Sequence, residues 1–344
     1  MNKQQIIKKI KKNRIPVRAR VTLTYRCNFN CLHCYEQPLK KDTRELNADK
    51  WKEILSDLRR RGCMIVTFTG GEIFTFSEFL EVYKFAYDIG LKVELLTNGS
   101  LISEETFEVF RSRKPDLVAV SIYAKDIDIF QKFSRTKFDG KIVLDNCVRL
   151  KQMGVNINVK FINNKVIQGQ YKKVRKFCND NHIPFYNYYN IRSCTDGSNE
   201  PKNLKIEPEE LIDCMSLEEI RSLYKKITTE NNLWNNEYKM CTAGLTDISI
   251  DPMGYVYLCE CVLDNRFPLL EEGFDVVWSK IELLRNKHIE VESYCSSCEH
   301  RIQCGLCAPT QMLEYGSLDC IPKDECIYNT KLREYIKEKL CVLD

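Results

Sequence analysis

The sequence predicts an α/β fold, a partial TIM-like (β/α)6 barrel followed by a small cysteine-rich domain. Strand-like and helix-like segments alternate along residues 18–192 with short loops between them, which is typical of a parallel sheet. The polar, glycine-containing segments lie at the C-terminal ends of the strands, where α/β barrels place their chemistry. From Cys241 onward the apolar periodicity is lost and cysteines become frequent. Such a segment indicates a small domain held together by metal.

The individual elements follow from the apolar pattern. A helix is predicted over Leu46–Arg60, because its apolar residues recur at helical spacing. Ser77 is predicted to cap the following helix. The predicted strands are Arg18–Tyr25, Cys63–Phe68, Leu91–Leu96, Leu117–Tyr123, Val155–Ile162 and Pro184–Tyr189. The other predicted helices are Ser77–Ile89, Ser103–Ser112, Lys141–Met153 and Gly169–Asn181.

We expect five segments along the chain. A basic N-terminal segment (1–17) precedes the barrel (18–192), and a polar crossing with a bridging helix (193–234) follows it. The metal-stapled domain covers 235–330 and a C-terminal helix covers 331–344. The bridge is predicted as one helix over Pro208–Thr229, and the closing helix begins near Asn329 and ends near Lys339.

Composition narrows the class of protein. The chain has 344 residues, 44% of them hydrophobic and 29% charged, and a net charge of +4, which is too small to indicate nucleic acid. No apolar run approaches the roughly 20 residues that span a membrane, and the Lys-rich N-terminus lacks the apolar segment of a signal peptide. We therefore expect a cytoplasmic protein. The basic cluster Lys8–Lys12 either solvates the N-terminus or grips an acidic peptide.

Eighteen cysteines are more than packing needs in a cytoplasmic protein, where disulfides are disfavoured. Cys27, Cys31 and Cys34 follow the first strand in a C-x3-C-x2-C spacing. A [4Fe–4S] cluster normally takes four cysteine ligands, so three leave one iron open to a substrate. A zinc ion held by these cysteines together with His33 is the alternative.

This loop and the Gly70-Gly71-Glu72 segment after the second strand resemble the radical S-adenosylmethionine (SAM) superfamily over residues 18–192. The resemblance implies that SAM chelates the open iron and that its reductive cleavage gives a 5′-deoxyadenosyl radical. It also implies roles for residues at the strand ends, although Ser121 and Arg192 could be ordinary strand-end residues. The implied contacts are Gly70 and Gly71 with the methionine, Glu72 with its ammonium, Asn98 in the pocket, Ser121 with the ribose and Arg192 with the SAM carboxylate.

The later cysteines resemble the SPASM extension of peptide-modifying radical SAM enzymes over residues 235–330. The resemblance implies two auxiliary [4Fe–4S] clusters. Asn235 and Asn236 occupy the region where that family has a further cysteine, so the first cluster has either an open iron or Cys261 as a ligand. A zinc ribbon is the alternative. The implied ligands are Cys241, Cys259 and Cys307 for the first cluster, and Cys295, Cys298, Cys304 and Cys326 (preferred over Cys320) for the second.

Two kinds of residue remain. Glu260 follows Cys259 and is a candidate general base, although an ordinary surface carboxylate is the alternative. The other cysteines, of which only Cys194 is near the expected pocket, are predicted to be mostly small buried apolar side chains. They are Cys63, Cys147, Cys178, Cys194, Cys214 and Cys341.

The sequence therefore predicts a radical SAM enzyme that acts on a peptide or protein side chain by oxidation, by thioether or carbon–carbon crosslinking, or by epimerisation. The auxiliary clusters would accept an electron or bind a substrate thiolate. An electron donor such as flavodoxin or ferredoxin is expected, and any leader-binding domain would be a separate protein. The alternatives are a radical SAM enzyme with a small-molecule substrate (a tetrapyrrole or a sugar) and a non-catalytic iron–sulfur or zinc protein.

Overall fold

The computed structural model describes residues 2–233, 241–288, 295, 298 and 307–341, without the side chains of residues 3 and 226–233. In this part of the chain, no helix is both long enough and apolar enough to cross a lipid bilayer.

Within these described residues, nine strands form one sheet in the order β6-β5-β4-β3-β2-β1-β7-β8-β9. Strands β1 to β6 are parallel neighbours, β7 is parallel to β1, and β8 and β9 continue the sheet as an antiparallel hairpin. The predicted α/β fold with a partial barrel is confirmed. The strands are β1 Arg18–Thr24, β2 Ile65–Gly70, β3 Lys92–Thr97, β4 Leu117–Ser121, β5 Ile157–Ile162, β6 Phe185–Tyr188, β7 Asp247–Ile250, β8 Tyr255–Cys259 and β9 Val262–Pro268.

Helices lie between successive strands of the barrel and pack against the sheet in the main apolar core. Along β5, buried Ile157, Val159 and Phe161 alternate with half-buried residues, because successive side chains of a strand point to opposite faces. The buried set packs into the main apolar core. The helices are α1 Lys3–Lys12, α2 Ala48–Arg60, α3 Phe79–Asp88, α4 Glu104–Ser112, α5 Ile127–Ser134, α6 Lys141–Gln152, α7 Tyr171–Asp180, α8 Pro208–Cys214, α9 Leu217–Leu233, α10 Leu269–Glu272, α11 Phe274–His288, α12 Ala308–Tyr315 and α13 Lys323–Cys341.

Some helix ends differ from the predictions. Ser103 caps α4 as expected, and its side chain accepts from the Thr106 N–H. Ser77 does not cap α3, whose N-cap residue is Glu78 without a side-chain capping bond. The Glu78 carboxylate instead accepts from the Ala48 N–H at 2.6 Å and joins the starts of α2 and α3. The bridge is two helices, α8 and α9, and α1 and α5 had not been predicted.

The C-terminal strands join the barrel sheet directly. Arg20 of β1 lies between Thr67 of β2 and Ser249 of β7 in the register of the sheet. A second, smaller apolar core packs α8 and α9 against α13. The sheet therefore carries the cysteines at the end of the β8–β9 hairpin close to the strand that precedes Cys27.

Candidate active site

The loop of Cys27, Cys31 and Cys34 follows β1 and is pinned to the end of α5. The Leu32 N–H donates to the Phe133 carbonyl at 3.0 Å, and the Asn30 N–H donates to the Ser134 carbonyl at 2.9 Å. Cys31 is buried, whereas Cys27 and Cys34 are half-buried. The structure thus brings the three predicted cysteines together on one anchored loop.

The donor set suits a cluster better than a single ion. Burial raises the pKa of Cys31 to about 12 and that of Cys34 to about 11, so the thiolates need a strong positive partner, which iron would supply. No group of three or more histidine, cysteine or acidic side chains in the described ranges could hold one metal ion. A cubane cluster binds each thiolate through a different iron, so its ligands are spread farther apart. His33 stacks on Phe133, with 5.1 Å between the ring centres.

Asn98 braces the cysteine loop from the end of β3. Its Nδ2 donates to Asn28 Oδ1 at 2.9 Å and lies 3.9 Å from Cys27 Sγ. Its Oδ1 accepts from the Ser100 N–H at 2.9 Å, while Asn28 Nδ2 donates to Ser100 Oγ at 2.8 Å. Asn28 and Ser100 had not been singled out from the sequence. Their polar side chains beside Cys27 and Asn98 are the signal that could have identified them.

Glu72 is buried and joins the ends of β2 and β3. Its carboxylate accepts from Thr97 Oγ1 at 2.6 Å and from the Asn98 N–H at 2.6 Å. Burial raises the pKa of Glu72 to about 7, although these donors act in the opposite direction. The carboxylate therefore has a structural function at the site, and its contact with the SAM ammonium stays a prediction.

Gly70 and Gly71 allow a close approach of two backbone segments. A Cβ atom on Gly70 would lie 2.3 Å from the Thr24 carbonyl oxygen, and one on Gly71 would lie 2.3 Å from that of Arg26. The Gly71 N–H donates to the Thr24 carbonyl at 2.9 Å. Both glycines are therefore required against the segment that enters the cysteine loop. Their predicted approach to the methionine of SAM is a separate matter and remains a prediction.

A cluster of charged side chains lies between the cysteine loop and the β8–β9 hairpin. Glu260 forms an ion pair with Arg20, with 2.7 Å between Oε1 and Nη1. Burial by itself would raise the pKa of Glu260, but Arg20 and Arg192 together lower it below its usual value. The Glu260 side chain is only 15% exposed, so it is not an ordinary surface carboxylate. Arg20 had not been predicted, although a cation within an apolar strand is a recognisable signal.

Arg192 lies in the same charged cluster. Its guanidinium is 3.8 Å from the centre of the Tyr35 ring, and its Nη1 is 3.9 Å from Cys261 Sγ. The residue thus touches both the cysteine loop and the β8–β9 hairpin.

Ser121, at the end of β4, is half-buried, and its side chain has no hydrogen-bond partner in the described part of the chain. The predicted contacts of both residues with SAM stay predictions.

The first set of later cysteines converges around Thr310. Thr310 Oγ1 lies 3.5 Å from Cys261 Sγ and 3.1 Å from Cys307 Sγ. The Cys261 thiol also shares a hydrogen bond with Cys259. Burial raises the pKa of Cys307, and the neighbouring Cys261 and Cys241 raise it further. The structure therefore brings Cys261 together with the three cysteines predicted for the first auxiliary cluster.

The second set lies near the start of α13. Burial raises the pKa of Cys295, and the nearby Cys326, Cys298 and Cys320 add to this effect. Cys298 also raises the pKa of Cys326. Cys304, the remaining predicted ligand of this set, lies outside the described residues, as do Asn235 and Asn236.

The other cysteines are separate from these groups. Cys194 is buried beside the first loop, and its Sγ lies 3.8 Å from the Cys34 carbonyl oxygen. Cys341 is exposed, which differs from the expectation of a buried apolar side chain. The rest are buried or half-buried, namely Cys63, Cys147, Cys178 and Cys214.

Residues 21–167 match a family model described as the Radical SAM superfamily. The matched stretch contains the three loop cysteines, the Gly70–Glu72 segment and the ends of β3 and β4. The chain thus carries a radical SAM domain, and the resemblance predicted from the cysteine loop is confirmed. A radical SAM domain implies a [4Fe–4S] cluster and SAM as cofactors. The cysteine loop fits this cluster, because it offers three thiols on an anchored segment.

Three curated proteins illustrate the relatives of the chain. The mycofactocin maturase MftC of Mycobacterium tuberculosis is 24% identical over 325 residues, which are 89% of this chain and 81% of the relative. The PqqA peptide cyclase of Rhodopseudomonas palustris is 36% identical over 92 residues, 26% of this chain and 24% of the cyclase. The Fe-coproporphyrin III synthase of Methanosarcina barkeri is 28% identical over 213 residues, 59% of this chain and 51% of the synthase. Each of these relatives is named as an enzyme, and together with the domain match they show that the chain is an enzyme with a radical SAM domain.

A solved structure extends the likeness beyond the matched domain. Streptococcus suis SuiB bound to its precursor peptide SuiA has a TM-score of 0.66 and 18% sequence identity. The superposition covers 90% of this chain and 74% of SuiB. The two proteins therefore share a fold that includes more of this chain than residues 21–167.

Proposed function

We propose that this chain is an oxidoreductase that modifies a side chain of a peptide or protein. When bound, the cluster and SAM supply a 5′-deoxyadenosyl radical that abstracts hydrogen from the substrate. The outcome is an oxidation, a thioether or carbon–carbon crosslink, or an epimerisation. The observation that carries the proposal is the anchored loop of Cys27, Cys31 and Cys34, because it leaves a fourth iron for SAM.

The peptide substrate is supported by the relatives. The cyclase is named for the peptide PqqA, and SuiB was solved with a precursor peptide. The match to a maturase extends along 89% of this chain, so it includes the cysteine-rich C-terminal region. We therefore favour a peptide over a small molecule.

The SAM pocket would be formed by the C-terminal ends of the first strands and by Arg192. The backbone at Gly70 and Gly71 would lie against the methionine, and Glu72 would accept from its ammonium. Ser121, whose hydroxyl is unpartnered in the described ranges, would bond the ribose. Arg192 would pair with the SAM carboxylate through the N–H groups in the plane of its guanidinium, which remain free when its face lies on the Tyr35 ring.

We propose two auxiliary [4Fe–4S] clusters in the C-terminal region, with the segment boundaries expected from the sequence. Cys261 is the best fourth ligand of the first cluster. Its thiol shares a hydrogen bond with Cys259, and both Cys261 and Cys307 contact the Thr310 hydroxyl. A completed set leaves no open iron there, so this cluster would accept an electron rather than bind a substrate thiolate. The proposed sets are Cys241, Cys259, Cys261 and Cys307 for the first cluster, and Cys295, Cys298, Cys304 and Cys326 for the second.

Cys326 is preferred over Cys320 because Cys320 Sγ donates to the Ser317 carbonyl at 3.3 Å. The reducing electron would come from a small redox protein such as flavodoxin or ferredoxin.

Glu260 as the general base is supported by its ionised state beside Arg20 and Arg192. To accept a proton it must first lose the ion pair with Arg20.

The test is product formation by the reconstituted protein. Anaerobic protein supplied with SAM and dithionite should form 5′-deoxyadenosine, and a triple replacement of Cys27, Cys31 and Cys34 by Ala should abolish it. Cys178→Ala is the matched control, because this cysteine is buried in the core away from the loop. If the triple variant still forms 5′-deoxyadenosine, the assignment of the cluster to this loop is wrong. Mass spectrometry of a peptide encoded beside this protein would then identify the modified residue.

A small-molecule substrate is the second candidate, and the Fe-coproporphyrin III synthase match favours it. That match covers 51% of the synthase, against 81% for the maturase. Stimulation of 5′-deoxyadenosine formation by a tetrapyrrole, and not by peptides, would establish this candidate instead.

A further inference from the structure

A row of three side chains crosses β4, β5 and β6 on the face of the sheet that is turned away from the main apolar core. Ser121, Lys160 and Tyr186 are partners in the register of these parallel strands, so they lie on the same face. Val159 and Phe185, the residues before Lys160 and Tyr186, pack into the core and therefore point to the other face. In a barrel the face away from the outer helices is the inside, so the row lines the space in which the reaction is proposed.

Lys160 is the member of this row that lacks a partner. It is half-buried, and it forms no hydrogen bond or ion pair with the side chains that the structure describes. Burial and the neighbouring positive charge of Arg20 lower its pKa. Glu94 acts in the opposite direction, but its carboxylate is already bound by Arg18 and by Thr67, whose hydroxyl donates at 2.9 Å. Lys160 is therefore a cation inside the barrel that an anionic ligand would stabilise.

Two exposed tyrosines lie beside this lysine. Tyr186 is 50% exposed and Tyr188 is 46% exposed, although both have large aromatic rings. Tyr188 is the register partner of Ile162, two residues after Lys160, so both tyrosines lie on the face of the row. The Lys160 ammonium is 5.9 Å from the centre of the Tyr188 ring. Aromatic rings next to an unpaired cation suit a ligand side chain that has an apolar stem and an anionic tip.

The position of Lys160 in the sheet favours a ligand other than SAM. On one side it adjoins Ser121 of β4, the residue proposed to bond the ribose. On the other side it adjoins Tyr186 of β6, which is the terminal strand of the described sheet. Lys160 thus lies between the proposed cofactor pocket and the edge of the sheet at β6. A ligand that reached Lys160 from the β6 side would lie next to SAM, where the reacting residue of a substrate must be.

We propose that Lys160, Tyr186 and Tyr188 bind a glutamate or aspartate side chain of the peptide substrate, close to the residue that reacts. The inference rests on the proposed function, because it assumes a peptide substrate. The Lys160 ammonium donates to the carboxylate, and the two tyrosine rings pack on the methylene part of the side chain. The three residues thus make the enzyme selective for an acidic position in its substrate.

Peptide binding to the cluster-loaded protein with saturating SAM and no reductant tests the proposal. The probe is N-acetyl-Ala-Ala-Glu-Ala-Ala amide, with the Gln analogue as the neutral control, and ligand-observed NMR titration gives both affinities. We expect the Glu peptide to bind wild type about tenfold more tightly than the Gln peptide. Lys160→Gln should abolish this preference, and Lys160→Arg should keep most of it.

The tyrosine variants separate the role of the rings from that of the charge. Tyr186→Ala and Tyr188→Ala should each weaken both peptides about threefold and keep the preference for Glu, because the rings contact the uncharged part of the side chain. Lys172→Gln is the matched control, since this lysine is exposed on α7. It should leave both affinities unchanged.

Equal iron content in all variants shows that they are folded and loaded. Equal or undetectable binding of the two peptides to wild type would overturn the proposal, and so would a preference for Glu that survives in Lys160→Gln. The affinity for SAM is measured in the same variants. If Lys160→Gln weakens SAM binding and leaves the peptide preference unchanged, the lysine binds the carboxylate of SAM and the proposal is wrong. None of these results affects the proposed function, which is judged separately from the cysteine-loop variants.

Discussion

Replacement of Glu72 by Gln should change how the stability of the protein depends on pH. The Glu72 carboxyl is buried and accepts from Thr97 and from the Asn98 N–H, yet burial raises its pKa from the ordinary 4.5 to about 7. The folded state therefore binds a proton between pH 4.5 and 7 that the unfolded state has lost. Stability contributed by this group is fully present below pH 4.5 and declines as pH rises through 7. Between pH 4.5 and 7 this shift lowers the free energy of unfolding by about 3 kcal/mol, and above pH 7 the loss is complete.

Urea unfolding of the protein without bound SAM at pH 5 to 8 measures this effect. A glutamine at position 72 cannot ionise, so the free energy of unfolding of Glu72→Gln relative to wild type should increase with pH by up to about 3 kcal/mol. Glu105→Gln, at an exposed position in the first turn of α4, is the control and should follow the wild-type profile. A constant difference between Glu72→Gln and wild type over this pH range would refute the reasoning.

Three further predictions concern the frame of the site. Gly71→Ala forces a Cβ against the Arg26 carbonyl, and 5′-deoxyadenosine formation should fall about 100-fold; a rate near wild type would contradict the close approach. Asn98→Ala removes three side-chain hydrogen bonds and should lower the free energy of urea unfolding by about 3 kcal/mol, whereas a loss below about 1 kcal/mol would show that the bracing is weak. Glu260→Gln leaves Arg20 unpaired and should cost about 2 kcal/mol in the same assay; a second replacement, Arg20→Met, should recover most of it, and no recovery would refute the pairing.

The sequence predicted the elements whose signals are local. The spacing of Cys27, Cys31 and Cys34 and the alternation of strands and helices depend on neighbouring residues, so the barrel could be predicted directly. Helix α5 was missed because its eight residues carry only a short periodic signal, although its apolar face is buried and Asp126 stands at its N-cap. The short β7 was missed as a partner of the barrel because four residues carry little periodic signal.

Contacts between distant segments could not be predicted. The pair Arg20–Glu260 depends on the register of β1, β7 and β8, which no local pattern encodes. Likewise, the hydrogen bonds by which the Glu72 carboxylate joins the ends of β2 and β3 link distant segments, so no local pattern predicted them. The cysteine spacing alone did not decide whether Cys261 is a ligand. Its position beside Thr310 comes from the packing of α12 on the hairpin. Long-range hydrogen bonds thus decide the parts of the site that sequence patterns leave open.

The parallel pairing of β1 with β7 has a consequence for any shortened form of this enzyme. A chain that ended before Asp247 would leave β1 with an unpaired edge, since β7 is the strand next to β1 on that side of the described sheet. An open edge of an apolar strand is a template for pairing with another chain, so the isolated barrel should aggregate. The C-terminal region would thus act as an intramolecular cover for the strand that leads to the cysteine loop.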